Sequence, residues 1–412
     1  MSLQSGSTDE DIDPVLSNSS LHISAAHGIV PTARRLCRAL GGCSGLKVAV
    51  AMSGGVDSSL TALLLADQGY EVVGFTMILH REGEWDETAS VFSQKCCGST
   101  DSIGRAREAA YRAGGEHYAV DARSEFERYV LMDFEQEYSS GRTPNPCIRC
   151  NTFMKWGFLV QQARQQDIEY IATGHHARIA VEKNGGFTLR TAVDSGKDQS
   201  YALWGVPRDQ LKHTLLPIGE KKKSEVRDLA RRHGLAAADM PDSQEICFIT
   251  SGTYREYLER RQADSDLPLL VLALTPGNIV DRDDRVVGRH EGVARFTIGQ
   301  RHGLGISTGH PLFVTRLDPA TSTITVGDED DLLKRRLTAG QANWVSIDPP
   351  KESFRGEVRI RYNGQAASAL VIPKNGTGFE VEFNEPQRAI TPGQSAVVYR
   401  DEIVLGGGVI LE

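Results

Sequence analysis

Two cysteines stand three residues apart in a setting that favours thiol chemistry. Cys147 and Cys150 follow the double-proline segment Thr143-Pro-Asn-Pro146 and precede a predicted helix. The prolines stiffen the loop because each fixes φ and restricts the residue before it. A helix N-terminus stabilises a thiolate through the helix dipole, and Arg142 and Arg149 would add to that effect. The pattern predicts nucleophilic or metal-binding cysteines.

A third candidate, Cys247, lies in the segment Asp242-Ser-Gln-Glu-Ile-Cys-Phe-Ile249. Its apolar neighbours Ile246 and Phe248 are equally typical of a small buried cysteine, so two interpretations stay open here. The chain has seven cysteines in all. This odd number, with no secretory signal, favours a reducing cytoplasm in which cysteines are kept for reactivity or metal.

A glycine turn connects a predicted apolar strand to a predicted helix near the start of the patterned sequence. The turn is Ser53-Gly-Gly-Val-Asp-Ser58, between the strand Lys47–Met52 and the leucine-rich stretch 60–65. Two glycines let the backbone approach a ligand, and the uncapped helix amides favour phosphate or pyrophosphate. The alternative is an ordinary strand-turn-helix with a serine N-cap. The signature Gly-x-x-x-x-Gly-Lys-Ser/Thr is missing here, which disfavours kinase or GTPase chemistry.

This turn resembles the PP-loop of ATP pyrophosphatases, which split ATP into AMP and pyrophosphate to adenylate an oxygen. The elements around it must position such a site. Strands and helices alternate from residue 46 to about 217, with strands at Lys47–Met52, Glu71–Leu79, His117–Asp121 and Tyr170–Ala180 and helices at Ser102–Ala113, Glu125–Tyr138 and Asn151–Gln166. Alternation of this kind predicts a parallel sheet covered by helices on both faces, with ligands at the carboxyl ends of the strands.

The rest of the chain has a different pattern. We expect a flexible extension at 1–45, a PP-loop domain at 46–217, a small middle domain at 218–296 and a β-barrel domain at 297–412. The barrel prediction of six or seven strands rests on short alternating segments at Leu312–Leu317, Thr323–Gly327, Glu357–Tyr362, Ala369–Ile372, Gly378–Phe383, Ala396–Tyr399 and Glu402–Leu405. Asn375-Gly376 and Thr391-Pro-Gly393 are turn signals.

Bulk composition is that of a globular protein, with 40% hydrophobic and 24% charged residues among 412. No apolar run approaches the roughly 20 residues of a membrane span, so we expect no membrane contact. The net charge of −8 argues weakly against nucleic acid, although Lys221-Lys-Lys223, Arg227, Arg231-Arg232 and Lys334-Arg-Arg336 could form a local basic face. Solvated helix surfaces are the alternative for each cluster.

Several motifs in one order carry a more specific resemblance, which covers residues 46–412. They are Ser53–Ser58, Thr143-Pro-Asn-Pro146 with Cys150-Asn151, Ala172-Thr-Gly-His175, Asp194 with Lys197-Asp-Gln-Ser-Tyr201, Glu245-Ile-Cys-Phe-Ile249, Gly299-Gln-Arg-His-Gly-Leu-Gly305 and Thr391-Pro-Gly-Gln394. Together they resemble the tRNA-specific 2-thiouridylase family, which replaces O2 of the wobble uridine in tRNAs for Lys, Glu and Gln with sulfur. The resemblance implies a PP-loop α/β domain of the HUP (adenine nucleotide alpha hydrolase-like) type, a small middle domain and a C-terminal β-barrel.

The resemblance also implies roles for individual residues. ATP would be held, with Mg²⁺, by Ala51, Met52, Ser53, Gly54, Gly55, Val56, Asp57, Ser58, Met77 and Gly174. Cys150 matches the family's nucleophile and Cys247 its persulfide carrier. The tRNA would contact Asn145, Pro146, Cys147, His175, Lys197, Asp198, Gln199, Arg361, Tyr362 and Gln394. On pattern alone His175 could instead be a satisfied core histidine, and Arg361 could face solvent.

The implied chemistry is coherent. Adenylating O2 turns a poor leaving group into AMP, and sulfur must then arrive in a site that excludes water. We hypothesise a persulfide on Cys247, loaded by a cysteine desulfurase or sulfur relay protein. Cys150 would attack it, leaving a disulfide that a reductant must reopen.

The chain departs from many relatives at position 147, where they carry Asp. Cys147, Cys150 and Cys247 together supply three thiolates, enough to hold a [4Fe–4S] cluster with one open iron that could bind sulfide. Cluster-delivered sulfur is therefore an alternative to the persulfide route, and the departure puts the base contact at 147 in question.

Two other hypotheses for the function of the whole chain stay open. A PP-loop amidotransferase or ligase of the GMP or argininosuccinate synthetase type would leave the cysteines idle. A non-enzymatic RNA-binding or sulfur-carrier module would retain only nucleotide affinity. The adjacent Cys96 and Cys97, on a loop that also contains Trp85, are open between a structural role and closure over the site.

Overall fold

A computed structural model describes residues 45–80, 98–241, 246–249, 252–264, 268–307, 309–374 and 377–412. The predictions for residues 1–44, for Trp85 with Cys96 and Cys97, and for the turn at Asn375-Gly376 lie outside the described residues. Among the residues described, no helix is long and apolar enough to span a bilayer.

The strands in chain order are β1 (Lys47–Ala51), β2 (Glu71–Ile78), β3 (Glu116–Asp121), β4 (Tyr170–Thr173), β5 (Ala177–Val181), β6 (Phe187–Thr191), β7 (Thr214–Leu215), β8 (Gly277–Val280), β9 (Val286–His290), β10 (Phe313–Asp318), β11 (Thr323–Gly327), β12 (Leu333–Asn343), β13 (Phe354–Arg359), β14 (Ala367–Lys374), β15 (Gly378–Arg388), β16 (Ser395–Arg400) and β17 (Ile403–Ile410).

The helices are α1 (Val56–Ala66), α2 (Thr100–Arg112), α3 (residues 123–139), α4 (residues 146–164), α5 (Lys223–Arg232), α6 (Tyr254–Asp264) and α7 (Pro268–Ala273). Two of them contain a π-helical part, Glu127–Leu131 in α3 and Cys150–Leu159 in α4. Short 3₁₀ turns occur at Ser195–Lys197, Ser200–Leu203, Arg208–His213, Ala236–Asp239, Val293–Arg295 and Asp330–Leu332.

The first half of the chain forms a parallel sheet with strand order β3-β2-β1-β4-β7. The central strand β1 is buried on both faces because Val48 and Val50 point to one apolar core while Ala49 points to another. Helices α1, α2 and α5 contribute to the first core, and α3 and α4 to the second. The predicted α/β architecture is confirmed.

One predicted strand of this region, Tyr170–Ala180, is wrong. The segment forms two strands in different sheets, β4 in the parallel sheet and β5 in the sheet that carries the barrel. Gly174, His175 and His176 separate them because these residues turn toward the glycine loop after β1, where both histidines are buried. An apolar pattern alone does not reveal such a break.

A second, four-stranded sheet has the order β10-β11-β8-β9. Its small apolar core includes Ile279, Val293, Val314 and Ile324. The predicted strands at 312–317 and 323–327 exist, but their assignment to the C-terminal barrel is wrong. They pair with each other, and β11 pairs in parallel with β8, a strand that was not predicted.

The C-terminal strands form a barrel. Its order is β12-β15-β14-β13-β16-β17, and pairing of β12 with β17 closes it with six strands. Strand β12 was missed because the basic run at its start masks the alternation that follows. The predicted turn at Thr391-Pro-Gly393 is confirmed by φ +89° at Gly393.

The barrel is joined to the parallel-sheet domain by backbone pairing. Strand β17 also pairs with β6, where Val404 lies opposite Leu189, so the β5–β6 hairpin extends the barrel sheet. The apolar core under β1 likewise continues beyond residue 217, since Ile218 and Val226 pack in it. The predicted domain boundaries at 217 and 296 stay predictions, although the closed barrel itself begins only at β12.

Candidate active site

The loop after β1 is a glycine turn that ends in an uncapped helix N-terminus. Gly54 has φ +71°, and a Cβ there would clash with the Ser102 backbone, so the turn requires glycine. Gly55 is the N-cap of α1, and none of the side chains that the structure describes caps the first turn. The Ser58 hydroxyl accepts from the Ser53 amide and donates to the Gly55 carbonyl, both at 3.2 Å. The uncapped amides are the donors that a phosphate group needs.

Helix α2 begins beside the same turn. Ser99 caps α2 by accepting from the Ser102 amide at 3.2 Å. One turn further along, Arg105 Nε donates to the Gly54 carbonyl at 3.0 Å. Arg105 therefore adds a positive charge at the loop. Arg105 was not predicted because residues 54 and 105 are too far apart in sequence for a local pattern to connect them.

Asp57, in the first turn of α1, is held by two basic side chains. Lys223 Nζ donates to both carboxylate oxygens at 2.7 Å, and His176 Nε2 lies 3.4 Å from Oδ1. Burial raises the pKa of Asp57, but the His176 hydrogen bond and the Lys223 charge outweigh it, so the pKa lies below 3.8. Lys223 is buried, unlike the surface lysine that the basic cluster at 221–223 predicts.

His175 connects the glycine loop to helix α4. Gly174 packs so closely on α1 that a Cβ would lie 2.6 Å from the Ser58 nitrogen. The His175 ring has Nδ1 2.7 Å from Thr173 Oγ1 and Nε2 3.2 Å from Lys155 Nζ. Because an ammonium only donates, Nε2 accepts and the proton is on Nδ1. Burial, with the Lys155 charge second, lowers the pKa of His175 well below 6.5 and keeps the ring neutral.

The connection continues along α4 to the cysteine pair. Lys155 Nζ also donates to Asn151 Oδ1 at 2.8 Å, and Asn151 Nδ2 donates to the Ala202 carbonyl at 2.8 Å. Asn151 directly follows Cys150, which begins the π-helical part of α4. A continuous series of contacts therefore links the glycine loop to the helix turn that carries Cys150.

The two cysteines of the pair differ in exposure, with Cys147 exposed and Cys150 half-buried. The two neighbouring arginines are both engaged by carboxylates. Arg149 Nε lies 3.1 Å from Asp133 Oδ1, and Arg142 Nε lies 2.8 Å from Glu137 Oε2. Their charges are thus largely compensated, and the expected stabilisation of a thiolate by these arginines is weaker than the sequence implies.

Cys247 is half-buried, and the residue after it is firmly anchored. The Phe248 ring packs among Phe126, Phe134 and Tyr257, with centroid distances of 5.9, 5.1 and 5.3 Å. Within the described ranges, no three His, Cys, Asp or Glu side chains are grouped so that they could hold a metal ion. Cys147, Cys150 and Cys247 therefore do not form a ligand group for a [4Fe–4S] cluster in this arrangement.

Three residues predicted to contact tRNA lie at the junction between the barrel and the sheet domain. Asp198 accepts from the Ser200 hydroxyl at 2.8 Å and from Arg359 Nη1, on β13, at 3.4 Å. Gln199 exchanges two hydrogen bonds of 2.8 Å with the His176 backbone. Lys197 is half-buried on the preceding 3₁₀ turn.

Tyr362 and Arg361 follow β13 at the rim of the barrel. Burial is the largest cause that raises the pKa of Tyr362, and the nearby Asp198 and Cys147 add to it. The partly exposed ring stands edge-on to Tyr201 at a centroid distance of 6.0 Å. Arg361 is exposed and donates Nη2 to the Arg388 carbonyl. The barrel rim thus contributes side chains on the Cys147 side of the site.

Gln394 connects the barrel to the proline segment before the cysteines. Its Nε2 donates to the carbonyls of Thr143 and Pro144 at 3.0 and 3.2 Å. The Thr143 amide donates to the Pro392 carbonyl at 2.8 Å, and a Cβ on Gly393 would lie 2.8 Å from Thr143. Gln394, predicted to contact tRNA, has its amide engaged within the protein.

The remaining predicted residues surround the loop and the start of α4. Met52 and Val56 are buried below the glycine turn, Ala51 ends β1, and Met77 is buried near the end of β2. Asn145 is the N-cap of α4 and Pro146 its first residue. These placements do not test what each residue binds, so the assigned roles stay predictions.

Three protein families match successive parts of the chain. They are described as the tRNA methyl transferase HUP domain over residues 46–251, the tRNA methyl transferase PRC-barrel domain over 270–328 and the aminomethyltransferase beta-barrel domain over 334–410. These spans match the parallel-sheet region, the four-stranded sheet and the closed barrel.

Full-length relatives carry a different description. A tRNA-specific 2-thiouridylase of Carboxydothermus hydrogenoformans is 43% identical over 368 residues, 88% of this chain and 97% of that protein. A tRNA-specific 2-thiouridylase of Acetivibrio thermocellus is 42% identical over 365 residues, 88% of this chain and 99% of that protein. A solved 4-thiouridine synthetase–RNA complex with bound ATP covers 56% of this chain and 52% of its own, with 15% identity and a TM-score of 0.32.

The family descriptions and the relatives name different chemistries, methyl transfer and thiolation. The relatives weigh more because each match runs through all three matched regions at more than 40% identity.

Proposed function

The chain belongs to the tRNA-specific 2-thiouridylase family, and from that membership we propose that it uses ATP to replace O2 of the tRNA wobble uridine with sulfur. The observation that carries the proposal is the series of contacts from the glycine loop to the Cys150 helix turn. It runs from Ser58 through Gly174, His175 and Lys155 to Asn151. This series of contacts supports a site in which nucleotide activation and thiol chemistry lie side by side.

The first step is adenylation of the uridine. The uridine O2 attacks the α-phosphorus of ATP, the bond to pyrophosphate breaks, and the proton of N3 passes to solvent. The N-terminal amides of α1, with Arg105 beside the loop, would stabilise the phosphates. Mg²⁺ would bind mainly through the substrate phosphates, and Asp57, the carboxylate of this loop, would have to exchange Lys223 for the ion to become a ligand. The ion supplies neutralisation of charge on the departing pyrophosphate.

The second step delivers sulfur. A cysteine desulfurase or sulfur relay protein loads a persulfide on Cys247, and the Cys150 thiolate attacks its inner sulfur. A Cys150–Cys247 disulfide forms and hydrosulfide leaves. The hydrosulfide attacks C2 of the adenylated base, and AMP departs with the former O2. The two thiols supply both electrons that reduce the sulfane sulfur, and an external dithiol reopens the disulfide.

The cluster route remains the alternative for sulfur delivery, and the Cys147-x-x-Cys150 spacing is the observation that favours it. The described residues do not form a ligand group for a cluster, so no step above depends on one. The proposed tRNAs are those for Lys, Glu and Gln, the residue contacts are those predicted above, and the proposed location is the cytoplasm.

Cysteine variants test the proposal. We expect Cys150→Ser and Cys247→Ser to lose wobble-uridine thiolation by at least about 10³-fold, because each removes a reacting sulfur. Both variants should still release pyrophosphate from ATP when unmodified tRNA is added. Thiolation is measured by mass spectrometry of wobble nucleosides with ATP, Mg²⁺ and a persulfide donor.

Cys147→Ala serves as the comparison variant because it lies on the same helix turn. Retained thiolation by colourless, anaerobically purified Cys147→Ala protein would contradict the cluster route. Unchanged turnover of Cys150→Ser would favour the amidotransferase or ligase alternative. Wild-type protein that releases no pyrophosphate in response to tRNA would fit the non-enzymatic module instead.

A further inference from the structure

Lys155 is a half-buried cation on the helix that carries Cys150, and its side chain contacts the turn after β4 that packs on the glycine loop. Its Nζ contacts His175 Nε2 at 3.2 Å and Asn151 Oδ1 at 2.8 Å. We propose that Lys155 is a further catalytic residue, whose ammonium stabilises negative charge on the α-phosphate while the uridine is adenylated and AMP later leaves. This inference rests on the function proposed above.

The position of Lys155 supports this role. In a π-helix the hydrogen bonds join residues i and i+5, so Lys155 lies one turn from Cys150 on about the same side. Lys155 also contacts His175. The residue before His175, Gly174, packs directly on Ser58 of the glycine loop. The ammonium is therefore placed between the proposed phosphate site and the proposed nucleophile.

The charge of Lys155 is not neutralised by its neighbours. Within the described part of the chain, no carboxylate oxygen lies within the 4 Å ion-pair distance of its Nζ, and its two contacts are a neutral ring nitrogen and an amide oxygen. Lys223, in contrast, is paired with Asp57. A partly desolvated cation held by neutral acceptors is preorganised for an anion and costs no rearrangement when negative charge develops.

The neighbours also fix the direction of the ammonium. His175 is neutral and has its Nδ1 proton directed at Thr173, so its Nε2 can only accept from Lys155. Asn151 is held in turn by the Ala202 carbonyl. One proton of the ammonium remains for a third acceptor, because the group has three donors. A phosphate oxygen supplies that acceptor.

The test measures the first half-reaction alone. Without a sulfur source, mixing full-length protein, ATP, Mg²⁺ and unmodified tRNA should give a single-turnover burst of pyrophosphate. We expect Lys155→Met to slow this burst by on the order of 10²–10³-fold, the usual effect of removing one transition-state donor. ATP affinity, measured by calorimetry without tRNA, should change by less than about threefold, since the role belongs to the transition state.

Two further variants separate catalysis from structure. Lys155→Arg keeps the charge, and its burst should be at least about tenfold faster than that of Lys155→Met. Lys47→Met removes a lysine at the opposite end of the sheet, where β1 begins, and should match wild type.

Lys155→Met within threefold of wild type would overturn the proposal. So would a parallel loss of burst rate and ATP affinity that Lys155→Arg does not relieve, because that pattern marks a structural lysine. Failure of the parent proposal looks different, since wild-type protein would then give neither the burst nor thiolated nucleoside.

Discussion

At the residue scale, the site separates two lysines of different function. Lys223 forms an ion pair with Asp57, so the two side chains together place little net charge beside the glycine loop. Lys155 has no such partner among the described residues and keeps its charge for a ligand. The same residue type thus acts as a support for the loop in one case and as a proposed catalytic group in the other.

The neutral state of His175 predicts acid-sensitive stability. The pKa of His175 in the folded state lies well below 6.5. Below pH 6.5, therefore, His175 is protonated in the unfolded chain but stays neutral in the folded protein. The contribution of His175 is therefore fully present above about pH 6.5 and is lost as the pH falls below it, by up to about 1.4 kcal/mol per pH unit.

Urea unfolding between pH 8 and 5 checks this expectation. His175→Gln should show a shallower loss of the free energy of unfolding below pH 6.5 than wild type. Above pH 7.5 the two curves should run parallel, which provides the internal control. Equal slopes below pH 6.5 would show that His175 titrates normally.

At the element scale, the β1–α1 turn depends on a backbone conformation and on close packing against α2. Gly54→Ala should destabilise the protein by about 1–3 kcal/mol and weaken ATP binding, because φ +71° strains alanine and its Cβ would strike the Ser102 backbone. Chemical denaturation and calorimetric ATP titration measure the two effects.

Gly185→Ala is the matched control for this turn. Gly185 has φ +81° on the β5–β6 hairpin, but a Cβ there meets no atom within 4 Å. It should show the backbone cost alone and leave ATP binding unchanged. If both variants bind ATP like wild type, the turn is not the nucleotide loop.

At the scale of the whole molecule, the barrel supports the cysteine loop. The sheet pairing of β17 with β6, the Arg359–Asp198 ion pair and the hydrogen bond from the Tyr201 hydroxyl to the Ser395 carbonyl join the two halves. Gln394 adds a direct connection to the proline segment before Cys147. The barrel therefore holds the proline segment, in which Asn145 and Pro146 are predicted to contact tRNA.

Gln394→Leu tests that coupling. The variant leaves the Thr143 and Pro144 carbonyls without their donor, which should cost about 1–3 kcal/mol and loosen the loop. We expect faster hydrogen exchange at the Thr143 amide and slower thiolation. Gln387→Leu removes a side chain that donates to the exposed Glu385 carbonyl, and it should change neither. Slower thiolation with unchanged exchange would instead favour a direct tRNA contact for Gln394.

Local sequence patterns determined much of this molecule. The alternation of apolar strands and amphipathic helices predicts the parallel sheet, and the two glycines before Asp57 predict the turn because only glycine tolerates such a backbone. The proline segment and the cysteine spacing place two thiols at the start of a helix. Each of these features depends on neighbours within one or two turns of chain.

Only the tertiary structure decided which distant residues meet. Lys223 pairs with Asp57 across 166 positions, and strands 313–327 join β8 rather than the barrel. Lys155 is positioned near the glycine loop because Gly174 packs on α1, which brings His175 within hydrogen-bond distance of the Lys155 ammonium on α4. Such contacts are set by how the elements pack, and the local pattern around each residue is the same whichever partner it finally reaches.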